Sequence, residues 1–349
     1  MLTGGGTAGH VIPNLALLPL LKKQGWKAEY IGSEAEMEKR LVEAGGLAFH
    51  AIPTGKLRRY FDAKNFTDPF RVFLGIWRAW LLLGRIRPRL VFSKGGFVAV
   101  PVVLAARLRG IPVMLHESDL TPGLANRLCI PFARVVCAAF PETMGHLPKG
   151  KAALTGTPIR EELFHGDRGR GLAFLGFAPG LPVLLAMGGS LGSKNLNRIL
   201  RGTLPDLRLR FQVAHICGKG GLEASLQGTA GYRQYEFLGP ELPDVLAAAD
   251  FMLSRAGANA LFEILALRKP NLLVPLSLAA SRGDQILNAR AFAKLGFSRV
   301  LPEEEAEPAR LLRELSALQQ EAEMRRDAME AYGPGAGAEK VMEQIRRFG

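Results

Sequence analysis

The sequence predicts an α/β protein built from two nucleotide-fold halves that face one cleft. Glycine turns recur about half a chain apart, GGGTAGH at residues 4–10 and GGSLGS at 188–193, each joining an apolar strand to a helix. Strand-like and helix-like segments alternate almost throughout, the pattern of parallel sheets covered on both faces. A glycine run between strand and helix lets backbone N–H groups approach an anion, and the helix N-terminus adds partial positive charge. One such turn is equally compatible with a tight turn that holds nothing, whereas two matched turns favour phosphate or diphosphate.

Taken in order, the first half offers strands at 27–31, 48–52, 90–93, 113–115 and 135–138, with helices at 36–44 and 98–109 between them. Only Met1 to Thr3 precede the first turn, fewer than the ~5 residues of an ordinary strand. The first strand is therefore expected to be short, which would also fit a misassigned start. The second half offers strands at 183–187, 212–217, 235–238, 251–254 and 271–274. Residues 156–180, rich in glycine and charge, mark the boundary, giving domains of 1–160 and 161–335. The C-terminal segment 336–349, with a helix at 338–347 after the break GPGAGA, is expected to pack back on the first domain.

A chain of 349 residues with 48% hydrophobic content suits two cores and excludes disorder. Cys129, Cys137 and Cys217 lack the spacing of a zinc site or a disulfide framework and read as core thiols in a reducing compartment. No signal peptide can be read before the first turn, so none is expected, and the apolar stretch 97–106 ends at Arg107, short of the ~20 residues of a membrane span. The protein is expected to stay inside the cell. The net charge of +13 asks for an anionic partner. Basic residues crowd positions 56–89, where Arg71, Arg78, Arg85, Arg87 and Arg89 alternate with Phe70, Phe73, Trp77 and Trp80. This composition resembles an interfacial helix on an anionic bilayer more than a nucleic-acid stripe. The plainer alternative, an apolar face packed on the sheet with solvated arginines, stays open.

Three further clusters carry chemistry. SKGGF at 93–97 follows the strand LVFS and should open onto the same sheet edge as the first glycine turn. SRAGANALFE at 254–263 places Glu263 about a turn and a half into a helix, near enough to a cleft to accept two hydrogen bonds from a ribose diol. SRGDQILNA at 281–289 puts Asp284 and Gln285 at a helix start, as caps or as hydroxyl ligands. His10, closing the first turn, is either a proton acceptor or a partner of the turn itself.

GGGTAGH, SKGGF, HES, GTPIR, GGSLGS, SRAGA with FEILA, and RGDQILNA occur in the order and near the spacing of the MurG family, which the chain resembles over nearly its whole length. The resemblance implies a GT-B fold, two Rossmann-like domains with parallel sheets facing an interdomain cleft. It also implies inverting transfer of N-acetylglucosamine from UDP-N-acetylglucosamine to undecaprenyl-diphospho-N-acetylmuramoyl-pentapeptide (lipid I), giving lipid II for peptidoglycan.

Carried over by the resemblance, Ser190 and Arg160 are expected at the donor diphosphate, Glu263 at the ribose, and Asp284 and Gln285 at the sugar hydroxyls. Thr7, Ala8, Gly9, His10 and Asn126 are expected near the sugar or the acceptor diphosphate. His10 is the expected general base, with Glu117 as the second candidate or its orienting partner. The basic apolar surface with Phe70, Phe73, Trp77, Arg78, Trp80 and Arg85 would dock a domain on the cytoplasmic face of the membrane, beside cell-wall synthesis or division proteins. Closure of the cleft about the linker would exclude water.

Two departures from the family pattern stand out: Ala8 where glycine is common, tolerable if φ stays negative there, and Asp284 where glutamine is common, which accepts but cannot donate. The chain has no Asp-x-Asp motif. The departing charge would then fall to the helix after Ser190 and to Arg160, with no metal or other cofactor required. Rival readings are a UDP-sugar transferase for another lipid acceptor and a dinucleotide-dependent oxidoreductase, for which Glu29 would be the acidic residue of the second strand. A nucleic-acid partner is not expected, since no recognised module accompanies the charge.

Overall fold

The computed structural model describes residues 1–55, 64–189, 192–281, 283–333 and 337–348, with the side chains of 64–69 left aside. The chain divides into two compact units, Met1–Arg160 with Gly335–Gly349, and Glu161–Pro334.

Among the described residues the first unit has seven strands: β1 (Leu2–Thr3), β2 (Tyr30–Gly32), β3 (Phe49–Ala51), β4 (Val91–Ser93), β5 (Val113–Glu117), β6 (Val135–Ala138) and β7 (Ala152–Leu154). They form one sheet in the order β3-β2-β1-β4-β5-β6-β7, every pair parallel. The short first strand sits at its centre, with Leu2 opposite both Tyr30 and Phe92. Thr3 Oγ1 donates to the Ile31 carbonyl at 2.8 Å, so even the polar side chain of β1 is spent on the sheet.

Because the strands are buried on both sides, alternate residues feed two cores. Leu2, Tyr30, Phe92 and Met114 pack with Val11, Leu18, Leu21 and Val42 from the helices Ala8–Leu15, Leu18–Lys23 and Glu36–Ala44. Val341, Met342 and Ile345 of the helix Gly337–Arg346 join this core, which returns the C-terminal segment to the first unit. The return is tight: a Cβ on Gly337 would lie 2.2 Å from the Thr157 carbonyl oxygen. On the opposite face, Ile31, Val91, Val113 and Leu115 pack with Ala79, Leu83, Val102 and Cys129 from the helices Lys64–Ile86, Ala99–Leu108 and Leu124–Cys129.

The second unit repeats the plan. Its described strands are β8 (Val183–Met187), β9 (Gln212–Ile216), β10 (Tyr232–Tyr235), β11 (Phe251–Ser254), β12 (Asn271–Leu273) and β13 (Ser298–Val300), ordered β10-β9-β8-β11-β12-β13 and again parallel. Leu184, Val213 and Leu253 bury against Leu196, Leu200 and Leu204 of the helix Lys194–Leu207 and against Leu311 and Leu315 of Pro308–Gln320.

Three expectations shift. The strand expected at 235–238 lies three residues earlier, because Tyr232 is the buried residue that pairs with Val213 while Phe237 is 77% exposed. The strand expected at 27–31 pairs only from Tyr30. The edge strands β7 and β13, three residues each, carry too little apolar sequence to announce themselves. The three cysteines are free and buried. No helix among the described residues is long and apolar enough to cross a membrane.

Candidate active site

Each sheet reverses its winding once, between β1 and β4 in the first unit and between β8 and β11 in the second. Connections leaving the strands on either side of such a reversal run to opposite faces and open a crevice at the carboxyl edge, where ligands of open parallel sheets bind. The chemistry-bearing motifs sit there. The turn GGGTAGH leaves β1 and SKGGF leaves β4, while GGSLGS leaves β8 and SRAGA leaves β11.

In the first unit, Thr7 precedes the helix Ala8–Leu15 with extended backbone (φ −148°, ψ 158°). Its hydroxyl lies 3.0 Å from His10 Nδ1, so the turn and the imidazole are locked together. Ala8 is the first helical residue, and the positive-φ residues other than glycine are Arg87 and Arg268 among those described, so alanine at 8 is unstrained. Gly9 is half-buried on the same helix turn. Burial, reinforced by the Lys94 charge, lowers the His10 pKa to about 4, so its imidazole is neutral at physiological pH.

Glu117 ends β5 and is buried. Its Oε1 accepts from the Asp119 N–H at 2.9 Å, and its Oε2 accepts from the Gly123 N–H at 3.0 Å and from Asn126 Nδ2 at 2.8 Å. The carboxyl thus braces the loop 118–123 and the helix Leu124–Cys129. Burial, with the nearby Asp119 charge, raises its pKa above the usual carboxylate value, while those hydrogen bonds oppose the shift. Asn126 also donates to the His116 carbonyl at 3.1 Å, and its Oδ1 is buried without a hydrogen-bond partner beside Gly95 of SKGGF. An acceptor left over at the switch point is available to a ligand donor.

The sequence pointed to the SKGGF turn but not to its lysine. Lys94 is 2% exposed, and its ammonium donates to His116 Nδ1 at 2.8 Å and to Ser118 Oγ at 2.6 Å. His116 is thereby fixed as the tautomer whose Nε2–H donates to the Gly156 carbonyl at 2.8 Å. Burial lowers the Lys94 pKa to about 7 against the pull of Glu117 and Asp119, and burial with the Lys94 charge holds His116 well below its ordinary value. A lysine between an apolar strand and two glycines was the available signal.

In the second unit, Ser190 lies outside the described residues. Around it, Gly189 and Gly192 adopt φ of +88° and +75°, and a Cβ on Gly192 would lie 2.4 Å from the Cys217 carbonyl oxygen. Ser193 caps the helix Lys194–Leu207, accepting from the Leu196 N–H at 3.3 Å. Its hydroxyl is also held by Arg255 Nη2 at 2.6 Å, and the buried Arg255 pairs with Glu303. Glu303 accepts in addition from Asn195 Nδ2 and the Ser277 N–H, both at 3.0 Å. This buried clamp, which the sequence did not reveal, ties the glycine turn to the loop after β12.

Glu263 is half-buried in the helix Ala258–Ala266, which begins where the sequence placed it. Asp284 and Gln285 open the helix Asp284–Lys294 behind Gly283, whose φ is +85°. Gln285 Oε1 accepts from the Leu276 N–H at 3.1 Å and the Ala256 N–H at 3.3 Å, joining SRAGA to the loop before it and leaving its amide N–H groups as the part that can face a sugar. Arg160 is half-buried and is the last residue of the first unit.

The helix Lys64–Ile86 buries Ala79 and Leu83 on the sheet and turns a second apolar face outward. Phe70, Phe73, Trp77 and Trp80 are 79%, 72%, 53% and 36% exposed, and Arg71, Arg78 and Arg85 are exposed with them. The aromatic residues are therefore not the ones that pack inward. The Arg109 guanidinium stacks 3.7 Å from the Trp80 ring and donates to its carbonyl at 2.9 Å. The whole net charge belongs to this unit, with 25 Lys and Arg against 12 Asp and Glu, whereas the second unit has 20 of each.

Residues 1–138 match the glycosyltransferase family 28 N-terminal domain, and residues 183–345 match the glycosyltransferase family 28 C-terminal domain. The chain is similar to enzymes named UDP-N-acetylglucosamine--N-acetylmuramyl-(pentapeptide) pyrophosphoryl-undecaprenol N-acetylglucosamine transferase. It is 60% identical to that of Lachnoclostridium phytofermentans over 304 residues, 87% of this chain and 86% of the relative. It is 50% identical to that of Clostridium botulinum strain Langeland over 348 residues, 100% and 98% of the two chains. Among solved structures it resembles MurG of Acinetobacter baumannii with a TM-score of 0.77 at 27% identity, covering 99% of this chain and 98% of that one. In fold alone it resembles the calicheamicin glycosyltransferase CalG4, with a TM-score of 0.68 at 15% identity, covering 99% and 96%.

The buried histidines set a pH dependence of stability. His10 at about 4 and His215 at about 3, lowered by burial and by the Lys94 and Arg201 charges respectively, bind a proton less readily folded than unfolded, as does His116. Protonation therefore favours the unfolded chain as pH falls below about 6.5, while at pH 7 and above these groups are nearly silent. Glu117, with its raised pKa, acts in the opposite direction, whereas Lys94, lowered to about 7, acts in the same direction as the three histidines. The urea midpoint is expected to fall between pH 7 and pH 5; a midpoint that holds or rises would contradict the buried neutral imidazoles.

Proposed function

We infer the function from kinship and site together: the chain belongs to the MurG family of glycosyltransferase family 28. Its two Rossmann-like units make a GT-B fold. It is a hexosyltransferase that moves N-acetylglucosamine from UDP-N-acetylglucosamine to lipid I, producing lipid II in peptidoglycan synthesis. The observation that carries this reading is identity of 50% along the full chain to a relative of that name, with the family's motifs at the switch points of both sheets.

We propose the following division of labour. The acceptor hydroxyl attacks the anomeric carbon, the new C–O bond forms as the bond to UDP breaks, and inversion results. UDP leaves with the bonding electron pair, and the hydroxyl proton goes to His10. With Nδ1–H donating to Thr7 Oγ1, the lone pair on His10 Nε2 is the acceptor. A base whose pKa is about 4 in the free protein is weak, but bound diphosphates bring negative charge that raises it toward the working pH. Glu117 serves as a brace for Asn126 rather than as the base, since its carboxylate is committed to the loop and helix it holds.

The departing UDP charge is met by the N-terminus of the helix Lys194–Leu207, held in place by the Arg255–Glu303 clamp, and by Arg160. Glu263 takes the ribose, and Asp284 with the Gln285 amide reads the sugar hydroxyls. No metal is required in this scheme. The first unit carries the acceptor and rests on the cytoplasmic face of the membrane through Phe70, Phe73, Trp77 and Trp80, with Arg71, Arg78 and Arg85 toward anionic headgroups. Both the aromatic face and the charge imbalance support this placement.

In detergent with chelator present, labelled sugar is expected to pass from UDP-N-acetylglucosamine to a short-chain lipid I analogue, with UDP-glucose a poor competitor. Activity lost to chelator and restored by magnesium would refute the metal-free scheme, and UDP binding without any product would point to another acceptor lipid. Replacing His10→Gln should lower kcat by about 10²- to 10⁴-fold with UDP affinity unchanged. The acid limb of wild-type kcat should lie above that of kcat/KM, which reports the free enzyme; coincident limbs would argue against charge coupling at His10.

Membrane docking predicts that Phe73→Asp with Trp77→Asp weakens binding to vesicles containing anionic phospholipid by about tenfold or more. Arg78→Gln should weaken it by a few-fold at low salt, each basic residue near the surface being worth ~1 kcal/mol. Unchanged vesicle binding by the double variant would remove this face as the dock.

A further inference from the structure

The first glycine turn already holds an anion of its own. Glu38, on the helix Glu36–Ala44, is 0% exposed, and its carboxylate lies across the carboxyl ends of the neighbouring strands β1 and β2. Oε1 accepts from the Gly6 N–H at 2.7 Å and from Ser33 Oγ–H at 2.7 Å, and Oε2 accepts from the Ser33 N–H at 2.8 Å. This carboxylate helps to crowd two glycines beside it. A Cβ on Gly5 would lie 2.7 Å from both oxygens and from Val98, and one on Gly32 would lie 2.9 Å from Oε2 and 2.4 Å from the Phe49 ring. Gly6 itself has a φ of +96°, which aims its N–H while excluding a side chain.

A backbone N–H in a strand-to-helix glycine turn is the donor a phosphate oxygen ordinarily takes. Here it is occupied, and a second anion brought to the same donor would meet a buried negative charge a few ångströms away. In the second unit's turn a Cβ added at Gly189 would meet open space, whereas one at Gly5 in the first turn would meet the Glu38 carboxylate.

We propose that Glu38 is a positioning residue that stands in for a ligand phosphate in the first turn, keeping diphosphates off the Gly6 donor and fixing the segment that presents Thr7 and His10. The path is short. Glu38 holds Gly6, Thr7 follows, and the Thr7 hydroxyl sits 3.0 Å from His10 Nδ1. Tyr30 Oη–H donates to the Gly4 carbonyl at 2.8 Å, and Asn14 Nδ2 donates to the Thr3 and His10 carbonyls, both at 3.1 Å, so the turn is secured on its other side as well. The effect on His10 rests on the transferase reading above; the exclusion of diphosphate does not.

Two variants separate these parts. In Glu38→Gln the side chain keeps its volume, but its NH₂ end must face one of the N–H donors, so the turn loses an anchor. The expected result is a fall in kcat of about tenfold or more, with the KM for UDP-N-acetylglucosamine and the affinity for UDP within about twofold of wild type. Wild-type kcat, or a parallel loss of UDP affinity, would overturn the positioning role. In Glu38→Ala the Gly6 and Ser33 donors are released. Inorganic pyrophosphate, titrated calorimetrically in saturating UDP, should bind this variant at least tenfold more tightly than wild type; equal binding would overturn the stand-in.

Should a circular-dichroism melt show Glu38→Ala unfolded, Glu38→Gln decides. Should wild type itself fail to transfer sugar, the pyrophosphate titration decides, and a gain there would uphold Glu38 while the transferase reading fell.

Discussion

Crowding at the carboxyl ends of the central strands is the constraint from which the rest of this protein follows. In both sheets the chain must leave a fully buried strand, turn sharply and enter a helix while a neighbouring segment does the same on the other side of the switch point. A Cβ on Gly96 would lie 2.1 Å from the Gly5 carbonyl oxygen, and one on Gly192 would lie 2.4 Å from that of Cys217. Glycine is therefore demanded by backbone meeting backbone, before any ligand is considered. The same close approach gathers N–H groups and helix N-termini at one edge, and this concentration of unsatisfied donors makes the edge useful to anions.

The two units use that edge differently. The first engages groups at that edge with its own buried charges, Glu38 under the first turn and Lys94 between His116 and Ser118. Buried charges are tolerated only when hydrogen-bonded, and each of these is. Their cost is accompanied by definition: they fix the tautomer of His116 and the angle of the turn, and the Lys94 charge reinforces the burial that keeps His10 neutral. The second unit places its buried pair, Arg255 and Glu303, behind the turn, where it steadies Ser193 and the loop at Ser277.

What could be seen in the sequence follows from how far apart the interacting residues lie. Glycine turns, buried strands such as Val183–Met187 and the helix Glu36–Ala44 are local patterns, and they stand where the residues indicated. The Glu38 contact joins positions 32 apart and the Arg255–Glu303 pair positions 48 apart, and neither spacing belongs to a periodic pattern. β10 differs from the expected 235–238 because Phe237 and Leu238 extend the apolar pattern beyond Tyr235, the last paired residue. The helix Lys64–Ile86 posed a different difficulty. It is apolar on two faces, and only packing reveals that small Ala79 and Leu83 go inward while the larger aromatics stay out.

That inversion of size bears on the charge. A helix that needed only to cover the sheet would be expected to bury its largest apolar groups, since stabilisation rises with the area removed from water. Here the close approach of this helix to the chain beneath it forbids bulk: a Cβ on Gly75 would lie 2.3 Å from the Pro53 carbonyl oxygen. Phe70, Phe73 and Trp77 are thus left in water at a free-energy cost that the fold alone does not recover. The unit that bears this cost is also the one that holds all of the excess positive charge. An aqueous partner would need only the charge and an apolar one only the aromatics. The combination supports the membrane dock proposed above, whose surface is anionic at its boundary and apolar just beneath.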